Sequence, residues 1–411
     1  MGKQFIDFFD QLNPWWGNPH FRFQLHDRVS YTGPLINQVG RLIQILIGAR
    51  RVGKTSILHR VINDLLNSGE KPKNIIFLSG ELREIRENGI GVTLDNLCRR
   101  LSTKPSVNLH LFIDEVQEID NWQNEIKLLY DSTNFRIYLS GSSSLLLAKQ
   151  TGKLTGRYRL RHVLPLSFKE FLDFKNVKHK ASAAILNDSL MDYLRIGGYP
   201  EYVLNKDPAY LRQCIESTLY RELMSAYGMR NPALLQDLLY FLADKVTNEV
   251  SSKRIQKDLK VDDKTAQFYL QYLRDVYLIY PAFKAGKSNR VTKGSNPKYY
   301  FNDPGVLALT AKTFRIGHAV ENAVYLKLLG EQAYQELPRI EYAILDDQEV
   351  DFISGEYAYE VKALEDITKE ILETYSDLGR SISLITLGDT KKIKNYSSSL
   401  STINLKEFLL R

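Results

Sequence analysis

Short apolar segments alternate with helically spaced segments in the first third of the chain. Apolar runs of strand length occupy residues 42–47, 74–78, 109–113 and 135–139. Residues 56–66, which follow the first run, carry apolar side chains at the spacing of an amphipathic helix. Buried strands that alternate with helices predict an α/β fold with a doubly wound parallel sheet, which binds its ligand at the carboxyl ends of the strands.

The pattern becomes helical after Phe171. Amphipathic stretches occupy residues 189–196, 210–227 and 232–246. They predict a helical lid over residues 166–245.

A different order of elements follows in residues 249–301. Two short helical patterns precede a strand at 278–283, and a second strand returns at 299–301. Two helices followed by a β-hairpin are typical of a winged helix, which we assign to residues 246–305.

The last hundred residues predict a small α/β domain over 306–411. Residues 317–330 have helical spacing, and a turn at Ser354 and Gly355 separates the two arms of a predicted hairpin. Further strands are predicted at 381–387 and 402–405. The domain that precedes the lid then spans residues 1–165.

Composition places the chain among ordinary folded proteins. Of its 411 residues, 44% are hydrophobic and 25% are charged. Its apolar runs are shorter than the roughly 20 residues needed to cross a bilayer, and its start has no signal-peptide core, so we expect a cytoplasmic protein without a membrane partner. Cys98 and Cys214 are then expected to be reduced thiols. The net charge of +7 permits an anionic partner such as nucleic acid but does not require one.

A phosphate-binding loop is predicted between the first strand and the first helix. The residues fit G-x-x-x-x-G-K-[ST], a spacing that turns successive backbone N–H groups toward phosphate oxygens. Lys54 is expected to reach the β- and γ-phosphates, and the Thr55 hydroxyl to ligate Mg²⁺. The alternative is a glycine-rich turn with a surface lysine. The predicted nucleotide-binding residues are Gly48, Ala49, Arg50, Arg51, Val52, Gly53, Lys54, Thr55 and Ser56.

Two carboxylates follow the third predicted strand. Asp114 is expected to hold Mg²⁺, and Glu115 to act as the general base that polarises the attacking water. The fourth strand ends in a serine-rich segment, in which Ser140 and Ser142 are candidate sensors of the γ-phosphate. For each serine, a polar turn that caps the next helix is the alternative.

Four segments together resemble the archaeal and bacterial AAA-superfamily P-loop ATPases that carry a restriction-endonuclease-like C-terminal domain. The segments are GARRVGKTS, LHLFIDEVQEIDNWQNEIKLLYD, IYLSGSSSLLL and LTGRYRLRHVLPLSFKEFL. The resemblance implies hydrolysis of ATP with Mg²⁺, with Lys54, Asp114 and Glu115 in the roles above, and it leaves a homo-oligomer open. It also implies a nucleotide contact for Arg157, for which a solvated arginine in a basic run is the alternative.

Two further segments have competing interpretations. The aromatic segment NPWW, residues 13–16, packs either near adenine or as a clasp on the domain surface. The hairpin of the winged helix carries basic residues among glycines, serines and asparagines, which suits salt-sensitive contact with DNA, or less readily RNA. A solvated loop is the alternative. The basic hairpin residues are Lys284, Lys287, Arg290, Lys293 and Lys298, and the preceding helices add Lys253, Arg254, Lys257, Lys260 and Lys264.

The C-terminal hairpin resembles the PD-(D/E)xK nuclease signature. Asp351 and Glu360 match its Mg²⁺ ligands, Lys362 its water activator and Glu321 its helical acid. Carboxylates on adjacent strands suit a hard cation, and alternation places Glu360 and Lys362 on one face. Val350 replaces the proline of the signature. The alternative is ordinary surface patterning, or an inactive domain that docks protein or nucleic acid.

Three functions therefore compete. One is an ATP-driven protein that acts on DNA and cuts or grips it with its C-terminal domain. Another is a nucleotide-controlled switch whose C-terminal domain only docks a partner. The third is a remodelling motor that acts on protein.

Overall fold

The fold is described from a computed structural model of the chain. It describes residues 8–37, 40–102, 109–141, 151–227, 232–285, 296–332, 340–345, 348–363, 373, 375, 381–388 and 400–411. The predicted site residues Ser142, Lys287, Arg290 and Lys293 lie outside the described residues. The chain divides into two compact units, Met1–Val163 and Leu164–Arg411.

The first unit contains a parallel sheet with helices between its strands. Its helices are α1 (Val29–Ile36), α2 (Lys54–Asn67), α3 (Arg83–Leu101) and α4 (Trp122–Ser132). Its strands are β1 (Ile43–Ile47), β2 (Ile75–Ser79), β3 (His110–Asp114), β4 (Arg136–Gly141) and β5 (Tyr158–His162). Short 3-10 turns occupy Pro14–Trp16, Pro72–Asn74, Val116–Glu118 and Thr151–Leu154.

The five strands lie in the order β2-β3-β4-β1-β5, and every neighbouring pair is parallel. This arrangement confirms the predicted α/β sheet. All residues of β1 and β3 are buried, as expected for strands covered on both faces. The carboxyl ends of β1, β3 and β4 therefore meet at one edge of the sheet, where the chemical groups predicted from the sequence are concentrated.

The aromatic segment near the amino terminus packs on β2, the outermost strand of the sheet. The Asn13 side chain accepts a hydrogen bond from the backbone N–H of Phe77 and donates one to its carbonyl, at 2.7 and 3.0 Å. The indole N–H groups of Trp15 and Trp16 both donate to the Ile75 carbonyl. These contacts support the interpretation of the segment as a surface clasp, because β2 lies three positions from β1 in the sheet.

The second unit begins with helices. They are α5 (Phe168–Phe174), α6 (Ala183–Ile196), α7 (Pro200–Asn205), α8 (Pro208–Tyr227), α9 (Pro232–Asp244), α10 (Ser252–Leu259) and α11 (Asp263–Asp275). Later helices are α12 (Pro304–Thr310), α13 (Ile316–Glu331) and α14 (Leu405–Leu410). Among the described residues of both units, no helix combines the length and the apolar character needed to span a membrane.

The strands of the second unit form one mixed sheet. They are β6 (Ile279–Lys284), β7 (Lys298–Phe301), β8 (Glu341–Leu345), β9 (Gln348–Ser354), β10 (Tyr357–Val361), β11 (Ile382–Thr386) and β12 (Leu400–Asn404). Their order is β12-β11-β10-β9-β8-β6-β7. The hairpin predicted as a separate wing, β6–β7, thus joins the C-terminal sheet through parallel pairing of Phe283 with Glu341 and of Lys284 with Tyr342.

The outermost strand β7 is held by a helix. The Asn322 side chain of α13 accepts a hydrogen bond from the Phe301 N–H and donates one to the Phe301 carbonyl, at 2.7 and 3.0 Å. Tyr300 and Tyr325 stack with ring centroids 4.4 Å apart. The sheet and α13 therefore share one core.

A tight junction in the second unit brings the loop after α6 to the turn before α12. The Asp303 carboxylate accepts hydrogen bonds from the backbone N–H groups of Gly198, Gly305 and Val306, at 2.5, 2.8 and 3.1 Å. A Cβ on Gly198 would lie 2.2 Å from the carbonyl oxygen of Leu166. Only glycine fits at this position without displacing backbone.

We expect Gly198→Ala to lower the free energy of unfolding by about 1–3 kcal/mol, the range for overpacking in a filled site. Thermal unfolding measures the loss. Gly317→Ala is the matched control, because no atom lies within 4 Å of a Cβ at Gly317. Equal melting temperatures for the two variants would contradict the steric argument.

Candidate nucleotide site and the C-terminal acidic cluster

The loop between β1 and α2 is anchored on both sides by buried residues. Ala49 and Val52 are buried, whereas Arg51 between them is exposed. Gly48 has φ +149°, and a Cβ there would lie 2.2 Å from the Val163 carbonyl oxygen. The loop therefore needs glycine at its first position, both for its backbone angle and for its close approach to the chain after β5.

Lys54 lies inside this loop. Its Nζ donates to the carbonyl oxygens of Gly48 and Ala49, both at 2.9 Å, and the residue is 5% exposed. The loop thus holds the ammonium group at the start of α2, where a helix amino terminus also favours anions. This placement brings together the amides, the cation and the helix end that a phosphate requires.

Thr55, Asp114 and Ser140 form one hydrogen-bonded group. The Thr55 hydroxyl donates to Asp114 Oδ2 at 2.7 Å, and the Ser140 hydroxyl donates to Asp114 Oδ1. Burial raises the pKa of the Asp114 carboxyl, while the hydrogen bonds from Ser140 and Thr55 and the charge of Lys54 oppose that rise. The three side chains come from α2, β3 and β4, so the parallel sheet aligns them.

These oxygens fit the Mg²⁺ that the resemblance implies. Hydroxyl and carboxylate oxygens are the ligands that Mg²⁺ prefers, and it usually takes one or two protein groups together with substrate phosphates and water. Thr55 and Asp114 present two such oxygens beside the loop that holds Lys54.

Glu115 turns away from the strand that carries Asp114. Its φ of +48° lies in the left-handed region, and its carboxylate accepts a hydrogen bond from the Gln117 side chain. The side chain is partly exposed. A carboxylate that directly follows Asp114 in the chain and is open to water has the access that a general base requires.

His162 is a further neighbour of the loop. It ends β5, pairs in register with Ile47, and is buried. Burial, together with the charge of Lys54, lowers the pKa of His162 to about 3, so its imidazole is neutral at physiological pH. No strand was predicted over residues 158–162 from the sequence, so nothing there singled out His162.

The structure places Arg157 away from this group. Its carbonyl accepts the Ile43 N–H at the amino end of β1, whereas the loop follows the carboxyl end of that strand. Its guanidinium pairs with Asp131 at 3.0 Å. The predicted contact between Arg157 and the nucleotide of its own chain is therefore not supported, and the interpretation as a solvated arginine fits its partial exposure.

The C-terminal unit brings Glu321, Asp351, Glu360 and Lys362 into one acidic cluster. Asp351 Oδ2 accepts the Val361 N–H at 2.9 Å, and Glu360 Oε2 accepts the Asp351 N–H at 3.2 Å. Lys362 Nζ lies 2.9 Å from Glu360 Oε1. At this end of the β9–β10 pairing, the backbone N–H groups of Asp351 and Val361 therefore donate to side-chain carboxylates.

Glu321 completes the cluster from α13. Its Oε1 accepts the Tyr300 hydroxyl at 2.7 Å. Burial raises the pKa of Glu321 to about 7, and burial with the charges of Glu321 and Glu360 raises the pKa of Asp351 well above its usual range.

Lys298 also belongs to this cluster, and the expectation that it lies on an exposed hairpin tip is wrong. It is 2% exposed on β7, it pairs with Glu349, and its Nζ lies 3.9 Å from Asp351 Oδ1. Burial alone would lower the pKa of Lys298, but the charges of Glu321 and Asp351 raise it. Lys298 lies fifty-three residues before Asp351, so no local sequence pattern predicts this contact.

The acidic cluster does not fit the metal that the nuclease resemblance implies. Among the described residues, no three His, Cys, Asp or Glu side chains are arranged to hold a metal ion. The carboxylate oxygens instead accept hydrogen bonds from backbone, tyrosine and lysine donors.

The basic residues of the winged-helix region lie on two kinds of surface. Lys284, on β6, is partly buried. The basic residues contributed by the helical part are all exposed, namely Lys253, Arg254, Lys257, Lys260 and Lys264. Arg254 lies 3.6 Å from Asp258, so an acidic residue partly neutralises the charge of this basic face.

Comparison with known families identifies two regions. The AAA domain family matches residues 40–172, and a domain of unknown function, DUF8612, matches residues 187–315. The first match contains the loop, Asp114, Glu115 and Ser140.

Relatives are found in archaea and bacteria. An uncharacterized protein of Methanocaldococcus jannaschii is 30% identical over 395 residues, covering 92% of this chain and 82% of the relative. An uncharacterized protein of Haemophilus influenzae is 27% identical, covering 76% of this chain and 79% of the relative. Among solved structures, AMPPCP-bound DnaA from Aquifex aeolicus is 15% identical, with a TM-score of 0.30, covering 64% of this chain and 92% of that chain.

Proposed function

Because this chain belongs to the family of its Methanocaldococcus jannaschii relative and carries an AAA-type P-loop ATPase domain, we propose that it binds ATP with Mg²⁺ and hydrolyses it. The observation that carries the proposal is the joining of Thr55, Asp114 and Ser140 beside the loop that holds Lys54. These groups supply, in one place, the donors and acceptors that a metal-bound triphosphate needs.

The proposed mechanism assigns each group one task. Lys54 exchanges its carbonyl partners for phosphate oxygens and neutralises charge there, while Thr55 and Asp114 hold Mg²⁺. Mg²⁺ held by Thr55 and Asp114 would supply a Lewis acid that neutralises phosphate charge. Glu115 accepts a proton from the water whose oxygen bonds to the γ-phosphorus as the bond to ADP breaks. Ser140 acts as a positioning residue, since it donates to Asp114.

Phosphate release by the full chain tests this function. We expect turnover of ATP in Mg²⁺ and none in excess EDTA, with GTP as the comparison nucleotide. Absence of turnover under all conditions, in a protein that also fails to bind a labelled ATP analogue, would overturn the proposal.

For the second unit, we propose a docking role on nucleic acid rather than cleavage. The exposed basic residues of α10 and α11 support the docking part, because exposed lysines bind phosphates without reading sequence. The absence of cleavage is supported by the acidic cluster, whose carboxylates Glu349 and Glu360 already pair with Lys298 and Lys362. Preference for DNA over RNA rests on the family resemblance.

Replacing Lys253, Lys257, Lys260 and Lys264 by glutamine is expected to weaken retention on duplex DNA. Each lost phosphate contact makes the slope of log Kobs against log salt less negative by about 0.9. Filter binding of the full chain over a range of salt concentrations measures the slope.

A matched control removes the same charge elsewhere. Lys71, Lys73, Lys178 and Lys180 are also exposed, and their replacement by glutamine is expected to leave the slope close to that of the wild type. Equal slopes for the two four-residue variants would assign retention to net charge rather than to α10 and α11.

A further inference from the structure

The acidic cluster contains its own positive charge. With Glu349, it has four carboxylates, and two lysine ammonium groups lie among them. A buried charge is tolerated only when it is paired and hydrogen-bonded. The balance between carboxylate and ammonium charges in the cluster therefore determines whether an external cation is needed.

Lys298 occupies the interior of this arrangement. It contacts Glu349 and approaches Asp351 from β7, and its Nζ also lies 5.2 Å from the centre of the Tyr342 ring. Lys362, by comparison, keeps 22% of its side chain exposed and pairs with Glu360. Of the two lysines, Lys298 is the one enclosed by the fold.

Three further carboxylate oxygens of the cluster accept hydrogen bonds from protein donors. Tyr300 donates to Glu321, the Val361 N–H donates to Asp351, and the Asp351 N–H donates to Glu360. A divalent ion needs several oxygens that converge on it at about 2.0–2.6 Å. An ammonium beside Asp351 both repels such an ion and uses part of the same negative charge.

We propose that Lys298 is a built-in counter-ion that takes the place of a divalent metal in the acidic cluster. The wild-type cluster then needs no metal, and removal of the ammonium group leaves Glu349 and Asp351, which it contacts, to be neutralised by a divalent cation instead. The inference rests on the docking role proposed for the second unit and gives that role a physical cause.

Binding of Mn²⁺ to the full chain tests this inference, measured without nucleotide by equilibrium dialysis and by thermal unfolding. Lys298→Met keeps the length of the side chain and removes its charge. We expect this variant to bind Mn²⁺ at least tenfold more tightly than the wild type and to show a saturable rise in melting temperature. Adding Asp351→Asn to it is expected to abolish both effects.

Two results would overturn the inference. One is saturable Mn²⁺ binding by the wild type that Asp351→Asn removes. The other is a folded Lys298→Met protein that gains no Mn²⁺ binding. If Lys298→Met does not fold, Lys298→Gln replaces it, since an amide still donates to Glu349, and the same two criteria apply.

The failure of this inference is separable from failure of the proposed function. Mn²⁺ binding by the wild type without cleavage of DNA would contradict only the counter-ion role of Lys298. Cleavage of single-stranded, duplex or branched DNA that Asp351→Asn abolishes would contradict the docking role itself. Neither measurement depends on ATP turnover, because nucleotide is absent.

Discussion

Replacing Glu115 by glutamine is expected to leave ATP binding intact and to slow hydrolysis by about 100-fold or more, the range for loss of a general base. The amide has nearly the shape of the carboxylate and still accepts the hydrogen bond from Gln117. It has no affinity for the proton of the attacking water. Single-turnover phosphate release and the affinity for a labelled ATP analogue separate the two effects.

Glu118→Gln provides the matched control for this variant. Glu118 lies three residues further along the same segment and is exposed, so the substitution removes one carboxylate from this segment without changing the residue next to Asp114. Its turnover is expected to equal that of the wild type. If Glu115→Gln also turns over at the wild-type rate, Glu115 is not the base.

Replacing Lys54 by alanine is expected to weaken ATP binding by about 100-fold and to abolish measurable turnover. A hydrogen bond to a charged group contributes about 1.5–3 kcal/mol, and Lys54 is expected to form more than one with phosphate oxygens. Titration calorimetry with a non-hydrolysable ATP analogue measures the loss of affinity.

The folded state of this variant needs its own measurement. Lys54 donates to the Gly48 and Ala49 carbonyls, so its removal leaves two acceptors without that donor. Thermal unfolding shows whether the loop survives, and Lys71→Ala, on an exposed lysine of the same unit, sets the baseline. A folded Lys54→Ala protein with wild-type turnover would show that the loop is not part of the nucleotide site.

The parts of the candidate nucleotide site could be identified from the sequence because they are local. The glycines, Lys54 and Thr55 fall within eight consecutive residues, and Asp114 and Ser140 end buried strands whose apolar runs are visible in the sequence. Parallel pairing then brings these strand ends together as a rule of the fold. The joining of Thr55, Asp114 and Ser140 confirms that expectation of proximity, while their roles in catalysis stay predictions.

The features that the sequence analysis did not predict depend on long-range contacts or on a mixed pattern of polar and apolar residues. Strand β5 carries arginine at alternate positions, Arg159 exposed and Arg161 buried, and these arginines concealed its strand pattern. The hairpin β6–β7 joined the C-terminal sheet through a pairing of Phe283 with Glu341, which no local pattern indicates. Lys298 was assigned to an exposed tip for the same reason, since its partners come from a distant hairpin.

Asn13 and Asn322 have a consequence for how this protein meets other chains. Each side-chain amide occupies both hydrogen-bonding groups of one residue on the last strand of a sheet, Phe77 on β2 and Phe301 on β7. A foreign segment that extends a sheet needs those same main-chain groups, as peptide ligands and amyloid-forming strands do. Strand addition is therefore blocked at Phe77 and Phe301, and a self-assembly that involves these two margins has to use side-chain surfaces instead.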